Sequence, residues 1–538
     1  MKKMLVLLLV VMSVGVAYAE DRYFIWSGYN SSSWWDASNW LVNGATASAE
    51  PNTTEDYYAF AKIGQDLYIS PLVITANPDP NYQTRLIDIY FGGGADEDPM
   101  IVTINDCNIW CQGSFRQNWG DGTQSSIINM TGGYIETLNG AFMLNCDGRS
   151  YYCKAVFNMS GGHLKVNSNW FNTFQEETKP GITDVNVSGT AQIDTRGLFI
   201  GERGQSTMTV SGNAVINCDE LFIKGYNASY NGLVAPELIV NSSLPITTPC
   251  ITVNNTLSLH QDAGGDLAKS TGAGTLTINS GCVKDLDAFR FGNVGEATLN
   301  MTGGKLDITG DIQCGINNSN GNSGYAVTAY LSGGQLWANN IVDYGNATIN
   351  IYLSGNAAIY LSNPGSSFEN DFINGGLISA SESGQKIWVI DQLQGIKIIA
   401  ASEDGVPYAT DLYPASSTTD VRPDVVLSWT AGVGVTSHDV YFGTDATAVA
   451  DANTESPEFQ GTQSATTFDP LGSGQEGWLT NGQQYYWRVD EGSYKGDVVT
   501  FTVVTCDDAS TGDLNGDCKT DFSDFAIMTE YWLEYSWQ

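Results

Sequence analysis

The chain has 538 residues, more than one hydrophobic core usually organises, so several units are expected. Its 23 Lys and Arg stand against 59 Asp and Glu, a formal net charge of -36, and such a surface repels phosphate backbones while attracting divalent cations. Nucleic acid is therefore a poor partner, and with three histidines (His163, His260, His438) and no CxxC pair a zinc site is disfavoured too.

At the N-terminus Lys2 and Lys3 precede an apolar run that ends in Ala17-Tyr18-Ala19, a small-x-small cleavage pattern. Residues 1–19 are expected to be a secretion signal cut before Glu20, because the apolar stretch is short for an anchor helix. No other apolar run is long enough to span a membrane. Export permits disulfides, and Cys107 with Cys111, Cys146 with Cys153, and Cys506 with Cys518 are close enough in sequence to pair locally. Cys218, Cys250, Cys282 and Cys314 lie in strand-like segments and read as small buried apolar residues.

Residues 20–100 are aromatic-rich, with IWSGYNSSSWWDASNW followed by YYAFAKIG. They are read as a β cap over the open first coil of the repeat that follows, since an uncovered edge invites aggregation. The alternative is a sugar-stacking platform of Trp26, Trp34, Trp35 and Trp40.

From 101 to 405 one phrase recurs: NMTGGYIETL, NMSGGHLKVN, NVSGTAQIDT, TVSGNAVINC, then INSGCVKDLD, NMTGGKLDIT, YLSGGQLWAN and YLSGNAAIYL. Its first glycines, Gly132, Gly161, Gly189, Gly212, Gly281, Gly303, Gly333 and Gly355, are spaced by 29, 28, 23, 69, 22, 30 and 22 residues. The unit is thus 22 or 23 residues, with insertions of six or seven. Apolar and polar residues alternate between glycines, so the period is that of strands, and fixed-offset glycines mark turns that need positive φ. Each short strand would bury its inward residues by stacking on the next coil. This pattern resembles the right-handed parallel β-helix and, more loosely, the passenger-like repeats of secreted bacterial surface proteins. The rival architecture is a large antiparallel sandwich or a set of jelly rolls.

After residue 405 the repeat stops. LSWT, HDVYFGT, QQYYWRVD and VVTFTV alternate as strands of a β-sandwich over 406–505. Trp429 holds an early-strand position, and Leu479, Gly482 and Tyr485 match the corner L-x-P-G-T-x-Y, with Asn481 and Gln483 in place of its Pro and Thr. This segment resembles the fibronectin type III family, which implies a spacer or a binding surface. Arg488 and His438 show no partners in the sequence, and neither is assigned a catalytic role.

Residues 506–538 contain DLNGDCKTDFSD. Counted from Asp513, oxygen ligands fall at positions 1, 3, 5, 9 and 12 as Asp513, Asn515, Asp517, Asp521 and Asp524, with the carbonyl of Lys519 at position 7. That is EF-hand spacing for Ca2+, and FAIMTEYWL supplies an exit helix with Phe525, Met528 and Trp532 at helical intervals. The stretch resembles one half of a type I dockerin, a family that clasps cohesin modules using both halves. Cys518 stands where the loop normally turns on glycine, and a Cys506–Cys518 disulfide is expected to hold that turn.

Catalysis on the coils would need acids and a base brought into one groove. Aligned on the first glycine, Arg196 and Asp219 fall seven residues along and Asp287 six along, which makes these three the candidates, although no lyase or hydrolase motif is spelled out. The favoured expectation is a secreted or cell-surface, adhesin-like structural protein. Its partners would be an extracellular polysaccharide or cell-wall component, and a cohesin-like or surface-anchoring protein. The alternative is a β-helix polysaccharide lyase or glycoside hydrolase.

Overall fold

The computed structural model describes residues 99–117, 125–144, 154–173, 181–202, 205–225, 236–259, 273–292, 295–316, 325–392, 395–402, 405–471, 479–492, 494–505, 512–513, 520 and 522–534, together with the backbone of short strands between 21 and 91. The protein is mainly β, with a long parallel sheet consistent with a parallel β-helix. Contacts divide it into two compact units, Met1–Ile239 with His260–Gly274, and Val240–Leu259 with Thr275–Gln538. Among the described residues, no helix is long and apolar enough to cross a membrane.

In the first unit each coil contributes to three parallel ladders. One stacks Met100–Ile104, Ser125–Met130, Lys154–Met159, Ile182–Val187 and Gln205–Gly212. A second stacks Asn108–Cys111, Tyr134–Thr137, and the leading halves of His163–Asn172, Gln192–Glu202 and Val215–Gly225. The third runs through Asp88–Phe91, Phe115–Gln117 and Phe142–Met143. Parallel pairing already begins inside the segment read as a cap, where Asp21–Trp26 pairs with Tyr58–Ile63; the short Trp40–Val42 and Ala45–Thr46 strands run antiparallel there.

Period two puts alternate side chains inside. Ile109, Ile135, Leu164, Ile193 and Ile216 occupy equivalent inward positions and are fully buried, each contributing roughly 1.5–3 kcal/mol. Phe115 stacks on Phe142 at 4.5 Å, and Phe142 meets Phe171 edge-on at 5.0 Å, so the aromatics also form an internal column. On the outside Asn158 donates to Asn129 at 2.8 Å, and Asn186 donates to Asn158 at 2.9 Å. Identical side chains are thereby paired from coil to coil.

The turn glycines adopt positive φ, but not always at the same place in the phrase. Where the phrase reads GG the second glycine turns, as at Gly162 (φ 81°); where it reads SGT or SGN the first does, as at Gly189 (φ 61°). The following strand starts one residue later in the second type, so His163 lies opposite Gln192. Alignment on the first glycine is therefore off by one between the two kinds of coil.

The second unit has its own parallel stack, through Glu296–Ile308, Tyr325–Ala338, Ala347–Leu353 and Ile378–Ala380. It ends on an antiparallel hairpin, Gln385–Gln392 with Gly395–Ser402, whose second strand also pairs antiparallel with Ala358–Leu361. This reversal closes the exposed edge, and nothing in the repeat foretells it. A two-sheet sandwich follows. One sheet holds Thr410–Tyr413, Leu427–Thr430 and Thr467–Phe468; the other holds Thr418–Val421, Val499–Val503, Gln484–Asp490, His438–Gly443 and Phe459–Gln463. Leu427, Trp429, Val440, Leu479, Tyr485, Trp487 and Phe501 fill the space between them.

Candidate functional site

The outward positions of the second ladder in the first unit carry a continuous polar and aromatic surface. The alternation that buries Ile135, Leu164 and Ile193 turns their neighbours to the outside. One row reads Trp110, Glu136, Lys165, Asp194, Asn217; the adjacent row reads Asn108, Tyr134, His163, Gln192. Tyr134 meets His163 edge-on at 5.2 Å and Trp110 at 6.0 Å.

The carboxylates of this surface are fixed by neighbouring coils. Asp194 Oδ2 lies 2.6 Å from His163 Nε2 and accepts from Gln192 at 2.8 Å, while Asn217 donates to Oδ1 at 2.8 Å. Glu136 accepts from Asn167 at 2.5 Å and lies 3.6 Å from the Lys165 ammonium. Burial would raise the Asp194 carboxyl, but hydrogen bonds from Asn217, Gln192 and His163 outweigh it and hold the group below its ordinary value. Glu136 behaves alike: burial is outweighed by Asn167, Tyr134 and Lys165, and its carboxyl is also held low. The Tyr134 hydroxyl is pushed up to about 12 by burial, with the Glu136 charge adding to it.

Chemically, the surface offers aromatic edges and faces beside prealigned acceptors and donors, a combination suited to the apolar and hydroxylated faces of sugar rings. Glu136 and Asp194 are two strand spacings apart, roughly 10 Å at about 4.8 Å per strand, close to the span of an inverting glycosidase pair. Such a pair needs one carboxyl that keeps its proton near neutral pH, and both are shifted the other way.

Of the residues expected to form a catalytic groove, Arg196 lies over the Trp170 ring at 5.5 Å. Asp219 lies on Val215–Gly225, also in the first unit. Asp287 belongs to the second unit, in the turn between Cys282–Asp285 and Ala288–Phe291, where its carbonyl accepts from Gly310 at 2.6 Å. The buried acid nearby is instead Asp285, which accepts from the Leu257 and Asp287 amides at 3.3 and 3.2 Å and whose carboxyl is pushed up to about 6 by burial.

The expected local pair Cys107 and Cys111 consists of separate buried thiols. The extended segment Asn108–Cys111 puts them roughly 13 Å apart at about 3.3 Å per residue, far beyond bridging distance. Cys218, Cys250, Cys282 and Cys314 are buried and in no disulfide. Arg488 and His438 do have partners. Arg488 is fully buried and donates to the carbonyls of Val449, Ala450 and Ala452 and to Asp490, while His438 Nδ1 lies 2.6 Å from Glu491 Oε1. Both are held inside the sandwich.

Of the calcium-loop residues, Asp513 and Asp524 are described; Asn515, Asp517, Lys519, Asp521, Cys506 and Cys518 lie outside the described residues, as do Cys146, Cys153, Trp34 and Trp35. Helix Phe522–Glu534 follows the loop, and Asp524 in its first turn is 2 % exposed. Among the described residues, no group of three His, Cys, Asp or Glu is placed to hold a metal.

No protein-family model, no curated protein and no solved structure matches the chain.

Proposed function

We propose that the protein is a secreted or cell-surface structural component that associates with a polysaccharide or cell-wall glycan through the outward face around Tyr134, His163 and Asp194. The observation that carries this reading is the row of aromatic and hydrogen-bonded polar side chains across successive strands, with Glu136 and Asp194 both held ionised. A repeating ligand matches a repeating surface, and locked acceptors lose little side-chain freedom on binding. The stacked coils are read as a right-handed parallel β-helix.

The sandwich is read as a fibronectin type III-like spacer. Supporting this, the Tyr485 hydroxyl accepts from the Thr480 amide at 3.0 Å, and Gly482 between them has φ 71°, the geometry of a tyrosine corner. The C-terminus is read as a single calcium loop resembling half a dockerin, an attachment module that becomes ordered outside the cell where calcium is abundant. The deep burial of the Asp524 carboxylate beside the loop supports it.

The test is retention of the purified chain on insoluble glycans and cell-wall preparations, comparing wild type with Tyr134→Ala. The reading expects retention that the variant loses; equal retention of both, or none by either, overturns it. A second reading, a polysaccharide lyase or glycoside hydrolase, draws on the Glu136–Asp194 separation. Release of reducing or unsaturated ends that Asp194→Asn abolishes would favour it.

A further inference from the structure

In the second unit a cavity of about 260 Å³ opens where the last coils meet the sandwich. Gly303, Gly304 and Gly334 form part of its wall, and there the turns pack so closely that a Cβ at Gly334 (φ 79°) would lie 2.4 Å from the Gly303 carbonyl oxygen. Two of the lining residues are charged, Lys397 and Lys495, and among the described residues no carboxylate lines it.

Lys397 is 5 % exposed and lies 2.9 Å from Asp497, which also accepts from the Tyr360 hydroxyl at 2.9 Å, so its charge is compensated and its position fixed. Lys495 is the other lysine of the lining; burial and the Arg488 charge hold its ammonium below its ordinary pKa, with Asp490 and Asp451 acting the other way. Tyr408, 7 % exposed, lines the same space with the Lys397 ammonium 4.4 Å from its ring, and its hydroxyl has no hydrogen-bond partner among the described residues. A buried hydroxyl left unpaired is costly, and a ligand acceptor would remove the cost.

We propose that this cavity binds an anionic sugar residue, whose carboxylate or sulfate ester is drawn to Lys495 and accepts a hydrogen bond from Tyr408. The space exceeds what a bare inorganic anion fills, and the amides of Gln335 and Asn356 on its wall suit sugar hydroxyls. Beside it, Trp337 stacks on Tyr360 at 4.1 Å and has the Lys305 ammonium 4.8 Å from its ring centroid, a further cation next to the cavity. The site belongs to the other unit from the glycan face proposed above and is of opposite charge. It draws on that reading only for the sugar class of its ligand.

The test is calorimetric titration of the full chain at fixed ionic strength with three oligosaccharides of matched length: a uronate, a sulfated one and a neutral one. Charge-assisted hydrogen bonds of this kind are worth enough that Tyr408→Phe and Lys495→Gln should each weaken acidic binding about tenfold or more. The acidic arm that binds identifies carboxylate or sulfate. Absence of acidic binding, equal affinity for the neutral sugar, or unchanged affinity in both variants overturns the proposal. If neutral glycan is still retained and lost in Tyr134→Ala, the glycan face stands while this site falls. Thermal melts confirm that each variant folds, and Lys495→Gln decides alone if Tyr408→Phe does not.

Discussion

His163 Nε2 and Asp194 Oδ2 lie 2.6 Å apart across adjacent coils, although 31 residues separate them in the chain. Because Asp194 is held below its ordinary value of 3.8, the ionised carboxyl is favoured by folding. Its contribution is complete above that value and is lost as pH falls through the lower folded one. The difference in melting temperature between wild type and Asp194→Asn should accordingly be constant near neutrality and shrink below about pH 4. A difference that grows on acidification would contradict this.

Asp285 has the opposite sign. Its carboxyl is raised from 3.8 to about 6 by burial, so the folded state favours the proton. Stability should be greatest below the unfolded value and fall as pH rises from about 4 to about 6, by roughly 3 kcal/mol at about 1.4 kcal/mol per unit. Denaturant titrations of wild type and Asp285→Asn across that window check it, the variant lacking the step.

Two turn glycines separate backbone strain from crowding. Gly345 has φ 77° and open space where a Cβ would stand, whereas at Gly334, with φ 79°, the Gly303 carbonyl oxygen would be 2.4 Å from that atom. Gly345→Ala should cost about 1–2 kcal/mol, the left-handed penalty alone. Gly334→Ala adds a collision with backbone that cannot yield, for a total of roughly 2–5 kcal/mol. Equal losses in equilibrium unfolding would refute the difference.

Glycine spacing made the stacked coils legible in the sequence because positive φ excludes most side chains, and alternation exposed the inward residues such as Ile135 and Leu164. The outward rows were hidden by one residue: Gly162 turns as the second glycine of its phrase and Gly189 as the first, so Tyr134, His163 and Gln192 line up only once the backbone is known. Counting from the strand start of each kind of turn would have found them. The partners of Arg488 were hidden for another reason, since three of its acceptors are backbone carbonyls, which carry no residue signature.

Arg488→Met should destabilise the sandwich by about 3–5 kcal/mol, because Asp490 and three carbonyls lose a buried donor. Tryptophan fluorescence during denaturation reads this directly, as Trp429 and Trp487 lie in that core. A loss under about 1 kcal/mol would mean that the guanidinium is replaceable.

Helix Phe522–Glu534 has Phe525 51 % and Met528 42 % exposed, and thirteen residues make a marginal helix on their own. Calcium in the preceding loop would supply the missing order. Chelation should abolish the amide signals of this helix and leave those of the parallel strands in place, and Asp513→Ala should reproduce the effect with calcium present. A helix indifferent to both treatments would remove the calcium loop from the account.

The most direct test of glycan association without turnover is a single panel of soluble and insoluble polysaccharides assayed twice, once for retention of the protein and once for released ends. The account predicts retention on at least one polysaccharide, lost in Tyr134→Ala, with no reducing or unsaturated ends released from any. Release of ends that depends on Glu136 or Asp194, or failure to be retained by every member, would contradict it.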